Sequence, residues 1–353
     1  MYNFKNWEEF SQVITSKMVC ILGANGSGKT NLLDAIYYLC TTKSYFNAVD
    51  SIHILHGNEQ ASIIGDFSRN GAEEQIICAL KRGQRKIIKR NFKEYERMAD
   101  HIGLLPVVMI TPYDIGLIWE GSAERRKFMD GALSQMESGY LNLWGKYQQA
   151  LLQRNTILRI PGLPIDAVRE QVEPWNFILT NTAPAMYRAR FNWINDISDR
   201  VKKIYELISG GHELVEVIYE SDWDGVADIS IMWNEINADY HAGRTRLGLH
   251  RDELHFKLNC RPIKKFGSQG QQKSLLIAMK LAQLSLMQEK MNRTPILLLD
   301  DIFDKIDEQR IGRILQWLVE TFQGQVFFTD TSQMRLPGLM QPLGINPQLI
   351  FTN

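Results

Sequence analysis

The segment that most restricts this chain is Gly23-Ala24-Asn25-Gly26-Ser27-Gly28-Lys29-Thr30, which fits the pattern G-x-x-x-x-G-K-S/T. It lies between an apolar run, Met18 to Leu22, that reads as a buried strand, and a helical pattern from Thr30 to about Leu39. Glycines let such a loop bring its backbone N–H groups close to phosphate oxygens, and the helix N-terminus adds positive dipole. A lysine at the position of Lys29 reaches the β- and γ-phosphates, and the hydroxyl at the position of Thr30 ligates Mg²⁺. A purely structural glycine turn could match the pattern, but strand, loop and helix are here in register. The expected cofactors are ATP and Mg²⁺.

Three further strings point to an ATPase. Ile296 to Leu299 reads as a central parallel strand, buried on both faces and followed by Asp300-Asp301. Carboxylates at the C-terminal end of such a strand sit where α/β sheets bind ligands. Asp300 is the expected Mg²⁺ partner and Asp301 the expected catalytic carboxylate that polarises water, with Lys29. About 30 residues earlier, Phe266-Gly267-Ser268-Gln269-Gly270-Gln271-Gln272-Lys273-Ser274 opens a helix whose apolar positions Leu275, Met279, Ala282 and Leu286 share one face. The core of this string is similar to the signature of ABC ATPases, in which Ser268, Gly270 and Gln271 would face the ATP held by an opposite subunit. The alternative is an ordinary helix start capped by Ser268 or Ser274. Asp304-Lys305-Ile306-Asp307 falls where the D-loop of that class lies, with Asp304 and Asp307 as the candidate residues; either could instead be a helix cap.

Along the chain, 61–67 and 75–90 alternate as antiparallel strands should, with a hairpin turn at Lys81-Arg82-Gly83-Gln84. Val107 to Ile110 is another apolar strand. From Ala123 to Ser209 the pattern is long and helical, broken mainly at Pro161-Gly162-Leu163-Pro164. Strands return at Glu216 to Tyr219 and His255 to Leu258, a helix runs from about Gln271 to Lys290, and Gln325 to Phe328 is a final strand. The expected fold is α/β: an ABC-type P-loop ATPase head built from both ends of the chain, with a mainly helical inserted arm. The expected segments are 1–122 and 213–353 for the head and 123–212 for the arm.

Among 353 residues, 40 Lys and Arg balance 40 Asp and Glu, so any contact with nucleic acid must come from local patches. Cys20, Cys40, Cys78 and Cys260 form no CxxC pair and read as buried free thiols of a reducing cytosol. The first residues are charged from Lys5 onward and do not read as a signal peptide. No apolar run approaches the roughly 20 residues that span a bilayer. The Trp residues of the arm, Trp144, Trp175 and Trp193, read as core.

The chain resembles the RecF family of bacterial recombination-repair proteins. The resemblance rests on Leu249-His250-Arg251-Asp252-Glu253, on Asn259 through Ser274, on Asn31-Leu32-Leu33-Asp34-Ala35-Ile36 after the loop, and on Gly121 with Arg125-Arg126-Lys127-Phe128-Met129-Asp130. It implies a cytoplasmic, weak DNA-dependent ATPase with a head like that of chromosome-maintenance proteins, serving repair, replication and the SOS response to DNA damage. It further implies an ATP-dependent homodimer that binds duplex or gapped DNA, with RecR- and RecO-type mediators and RecA as partners. Departures are a start without the strand that usually precedes Tyr2 to Asn6, Ser44-Tyr45-Phe46-Asn47 in place of Ser-Phe-Arg, and Gly248-Leu249-His250-Arg251 in place of Gly-Pro-His-Arg.

The best local candidates for DNA phosphates are Arg85, Lys86 and Lys89 of the basic hairpin, whose charges could equally guard an exposed sheet edge. Arg125, Arg126 and Lys127 could meet DNA or pair with acids such as Glu124. His250 reads first as a packing and hydrogen-bonding residue. Competing functions are a transporter's nucleotide-binding subunit, a chromosome-organising ATPase and a nuclease-coupled ATPase. The long insertion opposes the first, the lack of sustained heptads the second, and the lack of a spare carboxylate cluster the third.

Overall fold

The computed structural model describes residues 1–69, 71–211, 213–223, 235–304 and 306–352. They gather into two compact units, one of residues 1–115, 207–210 and 277–353 and one of residues 116–206 and 211–276.

In the first unit, five strands form a parallel sheet in the order Gln348–Phe351, Met18–Leu22, Val326–Asp330, Ile296–Leu299, Val107–Ile110. Met18–Leu22 and Val326–Asp330 are buried at every residue. Their unbroken runs of buried side chains are what a parallel strand covered on both faces requires. The edge strand Gln348–Phe351 alternates and buries only Ile350. Leu22 is opposite Asp330, and Leu299 is opposite both Ile110 and Phe328. One end of the sheet therefore delivers Gly23, Asp300 and Asp330 side by side. The strand expected to stop at Phe328 continues through Thr329 and Asp330.

The same unit carries an antiparallel sheet of Trp7–Glu9, Tyr2–Phe4, Gln60–Arg69, Ala72–Lys81, Ile87–Arg90 and Lys93–Glu94. The expected turn at 81–84 is present, with Gly83 at φ 68° and the Gln84 N–H donating to Lys81 O at 3.2 Å. Ile63, Ile76, Cys78 and Leu80 point inward and share a core with Val19, Ile21, Leu33 and Leu39.

The second unit is led by three helices, Ser122–Met136, Tyr140–Leu158 and Ile165–Ser209. The break at 161–164 is where the sequence places it. A second break at Glu137–Gly139, with Gly139 at φ 86°, was not expected. The last helix runs 45 residues, about 68 Å at 1.5 Å per residue. Pro174 and Pro184 lie inside it. Its buried face, from Val168 and Val172 through Leu179, Met186, Trp193, Ile197, Val201 and Tyr205 to Ile208, holds it together across both prolines. Val215–Glu220, Glu253–Leu258 and Arg261–Pro262 form a three-stranded antiparallel sheet. Residues 211–276, these strands among them, fall in the compact unit of the helices, where Arg190 pairs with Asp252 and Arg125 with Glu253.

Two expectations need correction. Cys20, Cys40 and Cys78 are buried, but Cys260 is exposed. It forms a tight turn with Asn259, both at positive φ (64° and 48°), between Glu253–Leu258 and Arg261–Pro262, and a hairpin turn faces solvent. Of the three arm tryptophans only Trp193 is buried; Trp144 and Trp175 are partly exposed. Trp144 keeps its Nε1 on the Asp130 carboxylate at 3.1 Å. Among the described residues no helix is long and apolar enough to cross a membrane.

Candidate nucleotide-binding site

The loop between Met18–Leu22 and the helix Lys29–Thr41 is made possible by its glycines. Gly26 and Gly28 hold φ of 83° and 98°, which cost an L side chain about 1–2 kcal/mol each. A Cβ on Gly23 would stand 2.3 Å from Thr352 Oγ1, so no side chain fits there. Gly28 precedes the helix without a side-chain cap, so the first helical N–H groups are left for a ligand at the loop. Lys29 folds over the loop, donating to Gly23 O at 2.8 Å and Ala24 O at 2.7 Å. Ser27 Oγ lies 2.5 Å from Thr352 Oγ1, tying the loop to the chain's last strand. Asn6 and Trp7 pack on Gly28, and Asn31 donates to Asn6 at 2.7 Å. The sequence offered no signal for these two N-terminal residues, because the hairpin that brings them there is a tertiary feature.

Asp300 emerges from Ile296–Leu299 beside this loop. Thr30 Oγ1 donates to its two oxygens at 2.9 and 3.0 Å, and Thr329 Oγ1 donates to Oδ1 at 2.9 Å. Burial pushes the Asp300 carboxyl above its ordinary pKa; the bonds from Thr30 and Thr329 oppose this, and Asp301 adds to it. Asp301 adopts φ 45° and its N–H donates to Thr329 Oγ1 at 2.9 Å. Burial raises its pKa first, and the charges of Asp330 and Asp304 raise it further, against Arg335 and Lys29. Thr329 thus fixes the Asp300 carboxylate and the backbone of Asp301. The sequence reading misses it because the expected strand stops at Phe328, two residues short of Asp330. Asp330 is itself paired with Arg335 at 2.8 Å. Asp304 is exposed, Lys305 lies outside the described residues, and Asp307 caps the helix Glu308–Thr321 by accepting from Arg310 N at 2.9 Å. Hard oxygen donors at Thr30 and Asp300, with excess negative charge around them, suit Mg²⁺.

The signature string lies in the second unit. Ser268 N–H donates to Gln271 Oε1 at 2.7 Å, and Gln271 N–H donates to Ser268 Oγ at 3.2 Å, a reciprocal capping box that opens the helix Gln269–Lys290. Ser268 is therefore a helix cap as well as a candidate phosphate ligand, and Ser274 is buried within the helix. Gly270 follows, half-buried, in the first turn. Leu275, Met279, Ala282 and Leu286 are all buried.

The candidate DNA cations are not equally available. Arg85 is exposed and Lys89 is half-buried, opposite Glu94 in the sheet. Lys86 is engaged by Asp50 at 3.1 Å and by Tyr38 Oη at 3.3 Å. Arg125 grips Glu253, not Glu124, with bonds of 2.6 and 3.1 Å, and it is Lys127 that pairs with Glu124. Arg126 donates to Asp252 O at 2.8 Å. His250 sits between Thr245 O and Tyr147 Oη, a hydrogen-bonding residue whose pKa burial lowers to about 4.

Residues 1–348 match the family model described as RecF/RecN/SMC N terminal domain. The DNA replication and repair protein RecF of Flavobacterium johnsoniae is 40% identical over 341 residues, 97% of this chain and 95% of that protein. Two solved structures of the recombination mediator protein RecF in the RecFOR pathway are similar throughout. The one described as RecF-ATPrS has a TM-score of 0.84 at 26% identity, covering 95% of this chain and 91% of that one. The one described as RecF-ATP has a TM-score of 0.82 at 26% identity, covering 94% and 90%. With its phosphate loop, paired carboxylates and long helical arm, this chain belongs to the RecF family of DNA replication and repair proteins, built on an ABC-type ATPase head.

Proposed function

We propose that this chain is a cytoplasmic, ATP-dependent DNA-binding protein of recombinational repair, in which an ATP-driven homodimer binds DNA and a weak, DNA-dependent hydrolysis resets it. Gly23, Ala24, Asn25, Gly26, Ser27 and Gly28 present backbone N–H groups to the phosphates, and Lys29 leaves the loop carbonyls for the γ-phosphate. Thr30 and Asp300 hold Mg²⁺, which when bound neutralises phosphate charge. Asp301 orients the attacking water, while Ser268, Gly270 and Gln271 engage the ATP of the second copy and Asp304 and Asp307 border it. Mediators of the RecR and RecO type are the expected protein partners, as the pathway named for the solved relatives suggests, and RecA follows from the family resemblance alone.

The observation that carries this reading is the bond from Thr30, in the first turn after the loop, to Asp300 at 2.9 and 3.0 Å, with Thr329 behind the Asp300 carboxylate and the Asp301 backbone. It unites two strings 270 residues apart into one oxygen-rich cradle. Most ABC ATPases carry Glu at the position of Asp301. The shorter carboxylate stands farther from the water, and a misplacement of about 1 Å can cost about 100-fold. Slow turnover follows.

Sedimentation and gel binding test the proposal together. ATP with Mg²⁺ should drive dimerisation and raise affinity for duplex or gapped DNA. Reversing Arg85 and Lys89, the hairpin cations least engaged by carboxylates, should lower affinity and flatten the salt slope by about 0.9 per lost phosphate contact. A chain that stays monomeric with saturating ATP, or binds DNA equally without it, would refute the proposal.

A further inference from the structure

Gln271 has a partner that the signature alone does not explain. Its Nε2 donates to Glu213 Oε1 at 2.7 Å, while the other oxygen of Glu213 accepts from Tyr205 Oη at 2.5 Å. Tyr205 is fully buried near the end of the long helix Ile165–Ser209. Glu213 is held in turn by its neighbour: Leu214 N–H donates to Asn259 Oδ1 at 3.0 Å and Leu214 O accepts from Asn259 N–H at 2.8 Å. A chain of bonds therefore runs from Tyr205 through Glu213 and Gln271 to Ser268.

This chain fixes chemistry that matters. A glutamine amide can sit either way round. Here a carboxylate faces one end and the Ser268 N–H the other, so only one orientation avoids two like contacts. With Gln271 so locked, its own N–H occupies a lone pair of Ser268 Oγ at 3.2 Å, which leaves the hydroxyl proton to be donated elsewhere. That is the state in which a serine donates to an anion. Without Glu213 the amide can turn over, and the capping box is lost with it.

We propose that Glu213 is a positioning residue for the signature, holding Gln271 and through it the Ser268 hydroxyl in the orientation that binds the γ-phosphate on a second copy, and that Tyr205 makes this setting responsive to the arm helix. The inference rests on the reading of Ser268, Gly270 and Gln271 as a phosphate site between subunits.

The test compares the full chain with Glu213→Ala, Glu213→Gln, Tyr205→Phe and Ser268→Arg. Sedimentation across an ATP titration gives the dimerisation constant, and a fluorescent ATP analogue at low protein concentration gives monomer binding. Monomer binding should be unchanged throughout. Glu213→Ala should weaken ATP-driven dimerisation by about tenfold, as expected for loss of a charged hydrogen bond. Tyr205→Phe should weaken it by about threefold, and Glu213→Gln, which keeps an acceptor for Gln271, should restore near-parental behaviour. Ser268→Arg should block the dimer. If Ser268→Arg blocks it but Glu213→Ala and Tyr205→Phe dimerise as the parent does, Glu213 does not position the signature. If Ser268→Arg dimerises normally, the phosphate-site reading itself is wrong. Should Glu213→Ala fail to fold, parental dimerisation by Tyr205→Phe alone overturns the relay, since that change removes a single oxygen.

Discussion

At the end of the parallel sheet, Asp300, Asp301, Asp304 and Asp330 converge with Lys29 and Arg335 as the cations that oppose them. Inside the helical unit, Arg190 lies between Asp130 and Asp252, with bonds of 3.0, 3.0 and 2.5 Å. Tyr140, Trp144 and Tyr219 donate to the same carboxylate oxygens, and Ser221 donates to the remaining Asp252 Oδ1. Burial opposes the charge of Arg190, yet Asp130, Tyr140 and Asp252 around it hold its pKa well above the ordinary value. Burial also raises Asp252, against Arg190, Ser221 and Tyr219, whereas in the head like charge adds to burial in pushing Asp300 and Asp301 toward neutrality. Both regions bury charge, but the arm satisfies it from within the chain and the head leaves a negative excess. The difference separates a structural cluster from one suited to a cation and its phosphates.

The largest expected effect breaks the balanced side. Arg190→Ala strips the counterion from two buried carboxylates, which typically costs 3–5 kcal/mol, on the order of a third or more of a domain's stability. Denaturant unfolding would measure it, and a loss below about 1 kcal/mol would mean the arm cluster is not held by charge. Next in size, Lys29→Ala should leave the nucleotide-free protein nearly as stable as the parent. It should lose the ATP–Mg²⁺ stabilisation, about 2.7 kcal/mol at roughly 100-fold excess over the dissociation constant. A thermal shift that survives the substitution would place the phosphates elsewhere.

The same contrast marks what sequence reading could reach. Gly23–Thr30, Asp300–Asp301 and the strands at 18–22, 107–110 and 296–299 were legible, because each is a local string with its own physical requirement. The charge partners were not. Arg125 with Glu253, Lys86 with Asp50, and Arg190 with Asp130 and Asp252 join residues 36 to 128 positions apart, and periodicity says nothing of such pairs. Thr329 could have been found, since it is the polar residue at the end of an apolar strand next to the Asp300 strand. Glu213 could not, because it acts from a loop.

A smaller effect sharpens the arm side by pH. His250 Nε2 faces Thr245 O at 3.1 Å, so that nitrogen carries the proton and Nδ1 accepts from Tyr147 Oη. Burial first, with Arg126 and Arg251 nearby, lowers its pKa from 6.5 to about 4, while the Thr245 bond and Asp222 oppose this. The unfolded chain therefore binds a proton that the folded one refuses. This contribution is nearly complete above pH 7 and is lost as pH falls toward 4, by on the order of 1 kcal/mol at pH 5.5. His250→Gln cannot titrate and should narrow the difference in unfolding free energy between pH 7.5 and 5.5 by about that amount. An unchanged difference would assign the acid sensitivity to other groups.

The smallest effect on stability is the one that tests the head side most directly. Asp301 holds a left-handed backbone at φ 45°, which asparagine tolerates better than most residues, so Asp301→Asn should keep the turn. The substitution removes a charge repelled by Asp330 and Asp304. Because Asp301 is partly exposed, solvent screening reduces the gain to about 0.5 kcal/mol, which raises the melting temperature of the nucleotide-free protein slightly. Turnover should fall by roughly 10²–10⁴-fold, the usual contribution of a positioned base, while ATP-driven dimerisation persists. The mirror substitution in the arm, Asp130→Asn, should do the opposite to stability, since it takes a carboxylate from Arg190. Melting curves of the two variants without nucleotide, set beside steady-state ATPase rates, decide the matter. If Asp301→Asn destabilises the protein as Asp130→Asn does, the carboxylates of the head are structural, and the distinction between the two clusters fails.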